Sequence, residues 1–347
     1  MRASVQREHN APVAPGVADT PTPGAAEVRV QVLACGLNHL DLWLRQGGTG
    51  DSLTLPRIPG TDVLGIVESV GPGVDDSLLG TRVLIYPGRS CGSCELCSAS
   101  NESACRQFEI LGYNVDGGYA EYVVAPASSL VPVPDDDLSW AAVPVAYITA
   151  WNALVTKGGL APQQTVAVWG AAGGLGNAAL RLARALGADP IAIVGDSGKE
   201  AWLRSTGFDG PIVIRTENVV REVRALTGKR GVDMVLDHVG AQTISHSLAM
   251  LASRGHLAFC GVTSGHSAQI DLRRIFGRQL TIAGTWIGDR RDLEDVVGLL
   301  TAHPSALPPI TARFGLDEAP AAQDEVSDPG RVGKVVLAIG TLHRNQT

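Results

Sequence analysis

Aromatic residues are scarce in this 347-residue chain, at 5% of the total, and charged residues reach only 18%. No run of 18 apolar residues occurs, so no membrane-spanning helix is expected. The opening MRASVQREHNAPVAPG has no apolar core of the kind a secretory signal carries, and the chain reads as cytoplasmic. A Lys/Arg-rich run is missing too, and the formal net charge is −7. These absences argue against a nucleic-acid or anionic-membrane surface, while leaving room for a local pocket for one phosphate. Cysteines number only six, but four of them fall within residues 91 to 105. Cytosolic thiols stay reduced, so such a cluster points to metal before disulfide.

What is present divides the chain into two textures. The length suits two domains, and 45% apolar residues suit a globular protein with a large core. Residues 1–135 carry short β-like runs between Gly and Pro, among them EVRVQVLACG, LGIVESVG, TRVLIYPG and YAEYVVAP. PVPDDDLSW, residues 132–140, reads as a loop entering a helix, with Asp and Ser as caps. From residue 165 strands and helices alternate. TVAVW, IAIV, IVI, MVLDHV, HLAFCGV and LTIAGT are the strand candidates. Short, continuously apolar strands joined by helices predict a parallel sheet covered on both faces, in a doubly wound α/β arrangement. After it come an amphipathic helix, DLEDVVGLLTAH, and a last strand, GKVVLAIG, that can return to the first domain.

The glycines of WGAAGGLG stand between a predicted strand and a predicted helix. Gly170, Gly173, Gly174 and Gly176, with Leu175 among them, allow a tight turn and a close approach of a pyrophosphate to a helix N-terminus. The strand, the helix and the five further strands all support a dinucleotide site. Ser197, Lys199 and Arg215, after the second and third strands, suit a 2′-phosphate and hence NADPH. Asp196 suits the ribose hydroxyls of NADH instead, so NADPH leads and NADH stays open.

Cys91, Cys94, Cys97 and Cys105 follow the spacing C-x2-C-x2-C-x7-C. Two-residue gaps let neighbouring thiolates converge on one ion. Four thiolates around a tetrahedral Zn²⁺ leave no open position, so such a site orders a loop and cannot activate water or an alcohol. An iron–sulfur cluster and two disulfides are the alternatives on spacing alone. Cys35 and Cys260 lie in apolar runs and read as small core residues.

ACGLNHLDLW, IPGTDVLGIVESVGPGV, the cysteine loop, DGGYAEYVV, WGAAGGLG, GVDMVLDHVG and GKVVL together resemble the medium-chain dehydrogenase/reductase superfamily, nearly end to end. That superfamily includes zinc alcohol dehydrogenases and quinone oxidoreductases. The resemblance implies a discontinuous GroES-like catalytic domain, residues 1–135 and 290–347, and a Rossmann domain, residues 136–289. It favours structural zinc in the cysteine loop. It also implies a homodimer that extends the sheet through LTIAGT, and C2 pairing is the commonest closed symmetry.

The departures from the family matter more than the matches. In zinc alcohol dehydrogenases, three positions bind the catalytic metal. By the resemblance these fall here on Asn38, Thr61 and Val145. Asp41 and Asp62 fall on positions outside that ligand set. A replacement site from His39, Asp41 and Asp62 has no ligand geometry in its favour. Without a Lewis acid, conjugated substrates are the easier ones: hydride adds to the β-carbon and an enolate oxygen is stabilised by hydrogen bonds. GLNHLD is similar to the quinone oxidoreductase branch, where the Asn lies by nicotinamide and substrate. Asn38 is therefore expected as orienter or oxyanion donor, with His39 and Tyr86 as further catalytic candidates. Thr149 matches a family position near the nicotinamide; so do Val239, Gly240, Cys260, Gly261 and Thr285, at predicted strand ends. Lys334 is expected to reach a cofactor phosphate. The expectation is an NADPH-dependent reductase of small conjugated carbonyls or quinones. The alternatives are an alcohol dehydrogenase with an atypical site and a non-catalytic NADPH-binding protein.

Overall fold

The computed structural model describes residues 1–48, 50, 53–135 and 137–340. The chain forms two compact units. The first comprises Met1–Val145, Asp289–Thr301 and Leu307–Thr347, and the second Ala146–Gly288 and Ala302–Ala306. Among the described residues no helix is long and apolar enough to cross a membrane.

The first unit is built on a mixed seven-stranded sheet. Its path runs Ile310–Gly315, Lys334–Ala338, Glu27–Gly36, Asp62–Val70, Arg82–Ile85, Leu130–Pro132, with Tyr122–Pro126 also pairing with Glu27–Gly36. In Glu27–Gly36 every second side chain is buried at the start, and all are buried from Val32 onward. Val28, Val30, Val32, Val63, Val67, Val83, Val335 and Leu337 meet in one core, as half-buried strands of alternating character should.

The second unit is a six-stranded parallel sheet in the order Ile212–Ile214, Asp189–Val194, Thr165–Val168, Val232–Asp237, Leu251–Phe259, Thr281–Gly284. This is the strand order 3-2-1-4-5-6 of a doubly wound dinucleotide fold. Its helices include Gly174–Ala185, Ser197–Ser205, Val219–Leu226 and Ile244–Met250. The edge strand Thr281–Gly284 pairs on one side only and leaves Ile282 exposed, while helix Leu272–Arg278 exposes Leu272 and Phe276.

The first boundary between the units lies after residue 145, later than the sequence reading put it. Residues 132–140 do lead into a helical segment, but its first turn, Leu138–Ala142, packs on strands Glu27–Gly36 and Asp62–Val70. A Cβ at Gly36 would stand 2.2 Å from the Ala141 carbonyl oxygen, so only glycine admits this contact. Asp137 caps the turn by accepting from Ser139 N at 2.8 Å. Residues 302–306 belong with the second unit, where Tyr147 donates to Ala306 O at 2.6 Å and Arg181 to Ser305 O at 2.7 Å.

Candidate functional site

Parallel strands bring their carboxyl ends to one edge, and the second unit collects its polar loops there. After Thr165–Val168 the chain turns through Gly170, with φ +57°, and enters helix Gly174–Ala185 at Gly173. A Cβ on Gly170 would stand 2.9 Å from the His238 ring, and one on Gly176 would stand 2.3 Å from Gly170 O. The missing side chains let the turn pack closely on His238 and on the start of a twelve-residue helix, whose free N-terminal N–H groups suit a pyrophosphate. Gly173 is the N-cap of this helix, and Gly174, Leu175 and Gly176 form its first turn.

After the second strand, Asp196 caps helix Ser197–Ser205 by accepting from Lys199 N at 2.9 Å. One carboxylate oxygen is thereby committed to the helix. Ser197 and Arg215 are exposed, and Arg215 directly follows the third strand. Val239 and Gly240 follow the fourth strand, where their N–H groups donate to the buried Asp237 carboxylate at 2.9 and 3.2 Å. Asp237 also accepts from Thr243 Oγ1 at 2.8 Å and Ser247 Oγ at 2.6 Å, which hold this turn in place. Cys260 and Gly261 follow the fifth strand, and burial pushes the Cys260 thiol up to about 12. Thr285 follows the sixth; its buried hydroxyl has no protein partner. Thr149 lies buried on helix Pro144–Trp151.

The four loop thiols converge in the first unit. Cys91–Cys97 Sγ atoms are 3.8 Å apart, Cys94–Cys97 3.5 Å, Cys94–Cys105 3.9 Å and Cys91–Cys105 3.6 Å. A tetrahedron with Zn–S bonds of ~2.3 Å has edges of ~3.8 Å, so these thiols fit one zinc ion and fill its coordination. Main-chain N–H groups of Ser93 and Cys94 against the Cys91 sulfur bring its pKa down to about 6. Gln107 N donates to Cys105 Sγ at 3.4 Å. Among the described residues, this is the only group of three or more His, Cys, Asp or Glu side chains close enough to share one ion.

A second polar cluster of the first unit surrounds Asn38, which precedes helix His39–Gln46. Its backbone N–H donates to Asp41 Oδ2 at 2.7 Å, and Asp41 Oδ1 accepts from Gly60 N at 3.2 Å. The Asn38 side chain takes a different partner: its Oδ1 accepts from Lys334 Nζ at 2.7 Å. Lys334, 2% exposed, also pairs with Asp62 Oδ2 at 3.0 Å, and Asp62 Oδ1 accepts from Val145 N at 2.8 Å. Asn38, Thr61 and Val145, the positions on which the resemblance is expected to place catalytic metal ligands, thus lie at or next to members of one hydrogen-bonded cluster. They carry a carboxamide, a hydroxyl and a valine. Asn38 Nδ2 and Thr61 Oγ1 are buried without a protein partner. An unmet buried donor costs about 1–3 kcal/mol, which a ligand oxygen would relieve.

Burial pushes the Asp41 carboxyl up to about 7; the Asn38 N–H pulls it down and Asp62 pushes it up. Tyr119, buried in GGYAEY, has Asp41 and Cys35 as neighbours, and burial above all raises its phenol. Sequence reasoning left Tyr119 out, although the quoted DGGYAEYVV contains it. His39 is exposed at the helix start, edge-on to Trp43 at 6.5 Å. Tyr86 stands in other surroundings: burial, then Asp289, Glu102 and Asp292, raise its phenol well above the ordinary value. Lys334 is where the structure differs most from expectation. It is enclosed among protein acceptors, in place of the phosphate contact expected from the sequence.

Comparison with known proteins agrees with this architecture. Residues 24–135 match the alcohol dehydrogenase GroES-like domain, and residues 174–302 match the zinc-binding dehydrogenase family. The chain is 30% identical to an NAD-dependent alcohol dehydrogenase of Sulfolobus acidocaldarius, over 98% of this chain and 100% of that one. It is 26% identical to a quinone oxidoreductase of Rattus norvegicus, covering 92% and 91% of the two chains. A crystal structure of an NAD-dependent alcohol dehydrogenase superposes with a TM-score of 0.92 at 36% identity, covering 98% and 100%. With its strand order, glycine turn and thiol cluster, the chain belongs to the medium-chain dehydrogenase/reductase superfamily, as an oxidoreductase with a GroES-like and a Rossmann-type domain.

Proposed function

We propose that this oxidoreductase is an NADPH-dependent reductase of conjugated carbonyls or quinones that works without a catalytic zinc. The unpartnered Asn38 Nδ2 carries the reading: it is a buried donor at a position where the zinc enzymes of the family place a metal ligand. The nicotinamide, when bound, supplies a hydride to the β-carbon of the acceptor. Asn38 then donates to the carbonyl oxygen as negative charge collects on it, and the Thr61 hydroxyl is a second donor of the same kind. The α-carbon takes its proton from solvent, to which the exposed His39 beside Asn38 is open.

The glycine turn holds the pyrophosphate, and Ser197, Lys199 and Arg215 hold the 2′-phosphate. The thiol cluster supports a single structural zinc. Ile282 on the open edge strand, with Leu272 and Phe276, supports a homodimer. The identity to NAD-dependent alcohol dehydrogenases supports a second reading, an alcohol dehydrogenase with an atypical site. Metal content per chain, measured with NADPH and NADH oxidation against an enone, a quinone and an aldehyde, separates the two. One zinc, with enone or quinone turnover that prefers NADPH, is the expected result. Two zincs, with aldehyde turnover lost when one is stripped, would sink the reductase reading.

A further inference from the structure

Lys334 has no donor left for a ligand. An ammonium carries three N–H groups, and three acceptors take them: Leu37 O at 2.8 Å, Asn38 Oδ1 at 2.7 Å and Asp62 Oδ2 at 3.0 Å. Its bond to Asn38 has a directional consequence. A carboxamide offers an acceptor on one edge and a donor on the other, and an ammonium accepts nothing. Only Oδ1 can therefore face Lys334. The N–H₂ edge is turned the other way, where Nδ2 has no protein partner. Asp41 meanwhile holds the Asn38 backbone, so two separate devices fix the backbone and the carboxamide.

We propose that Lys334 is a positioning residue: its ammonium, anchored by Asp62, sets the flip state of the Asn38 carboxamide so that the N–H₂ edge meets the substrate oxygen. This rests on the reductase reading given above. Val145 N, Asp62, Lys334 and Asn38 form one chain of hydrogen bonds, which ties the ammonium to the Val145 backbone through the Asp62 carboxylate. The positive charge thus acts through Asn38 and does not touch the substrate.

The test uses the paired variant Asp62→Asn/Lys334→Met in the full-length enzyme. It removes both charges together and strands neither, and the new carboxamide still accepts from Val145 N. The expected result is a fall in kcat of about 10–100-fold for an enone or quinone, with KM within about 2-fold. Adding Asn38→Ala to the pair should then change kcat by less than about 3-fold, because residues acting as one unit do not multiply their losses. Multiplied losses would overturn the positioning role. The second readout is the NMR side-chain amide signal of Asn38 in protein labelled with ¹⁵N-asparagine, identified by its loss in Asn38→Ala. A sharp pair in the parent that broadens or splits in the paired variant supports the role. An unchanged pair overturns it, whatever the activity. If the parent reduces no conjugated acceptor while the amide signal still broadens, the reductase reading falls and the positioning of Asn38 stands.

Discussion

The Gly170 carbonyl oxygen lies 2.3 Å from the point where a Cβ on Gly176 would stand. No side chain fits between the turn and the helix it feeds, so substitution must move one or the other. Gly176→Ala should weaken dinucleotide binding by more than about 10-fold, since a displaced helix N-terminus no longer aims its N–H groups at the phosphates. Fluorescence titration with NADPH measures this. Unchanged affinity would mean the turn is not the phosphate cradle.

The thiol cluster offers a separate prediction. Cys97→Ser should release the metal and lower the melting temperature, because a closed tetrathiolate site stabilises the loop it orders. Zinc content by mass spectrometry and thermal unfolding check the two effects. A variant that keeps one zinc per chain and melts like the parent would place the metal elsewhere.

Asp41 gives a pH dependence with a definite sign. Its carboxyl is held at about 7 in the folded chain against an ordinary 3.8, by burial first, then against the pull of the Asn38 N–H. Asp62, Lys334, Tyr119 and Cys35 are its charged or titratable neighbours. Between those two values the folded state keeps a proton that the unfolded state has lost. This group therefore makes stability fall as pH rises through that window and level off above it. Urea unfolding from about pH 4.5 to 8 should show that slope in the parent and a shallower one in Asp41→Asn. Equal slopes would contradict the assignment.

Cofactor choice is testable at the end of the second and third strands. Lys199→Ala with Arg215→Ala should raise KM for NADPH by about 10-fold or more and leave NADH nearly unchanged, because only NADPH has a 2′-phosphate to lose. A uniform rise for both cofactors would move these residues out of the 2′-phosphate site.

The sequence makes the second unit largely legible, because short apolar strands and intervening helices leave a local, periodic signal. Strand ends shift by a few residues: HLAFCGV corresponds to a strand that begins at Leu251 and stops at Phe259. The thiol cluster is equally legible, since all four cysteines lie within one loop. Lys334 is not. GKVVL looks like a strand opening with a solvated or phosphate-binding lysine, and the partners that enclose it, Asp62 and Asn38, are 272 and 296 residues away. Burial of a charge depends on what the fold brings beside it, and no local pattern reports that. The hairpin of Arg2–Val5 with Ala14–Val17 escaped notice for a related reason: Pro15 and Gly16 mask its second strand.

The thiol loop also has a bearing on chain topology. To the first unit, everything from Ala146 to Gly288 is a single excursion that leaves at Val145 and returns at Asp289. The Asp289 side chain is met on arrival by the Ser103 N–H, 2.7 Å away, from the stretch between Cys97 and Cys105. Closing a long excursion costs only slightly more than closing a short one, so a few well-placed bonds at the point of return can hold the seam shut. The thiol loop is one such clasp: it keeps a domain written in separate pieces joined at the place where the thread comes back.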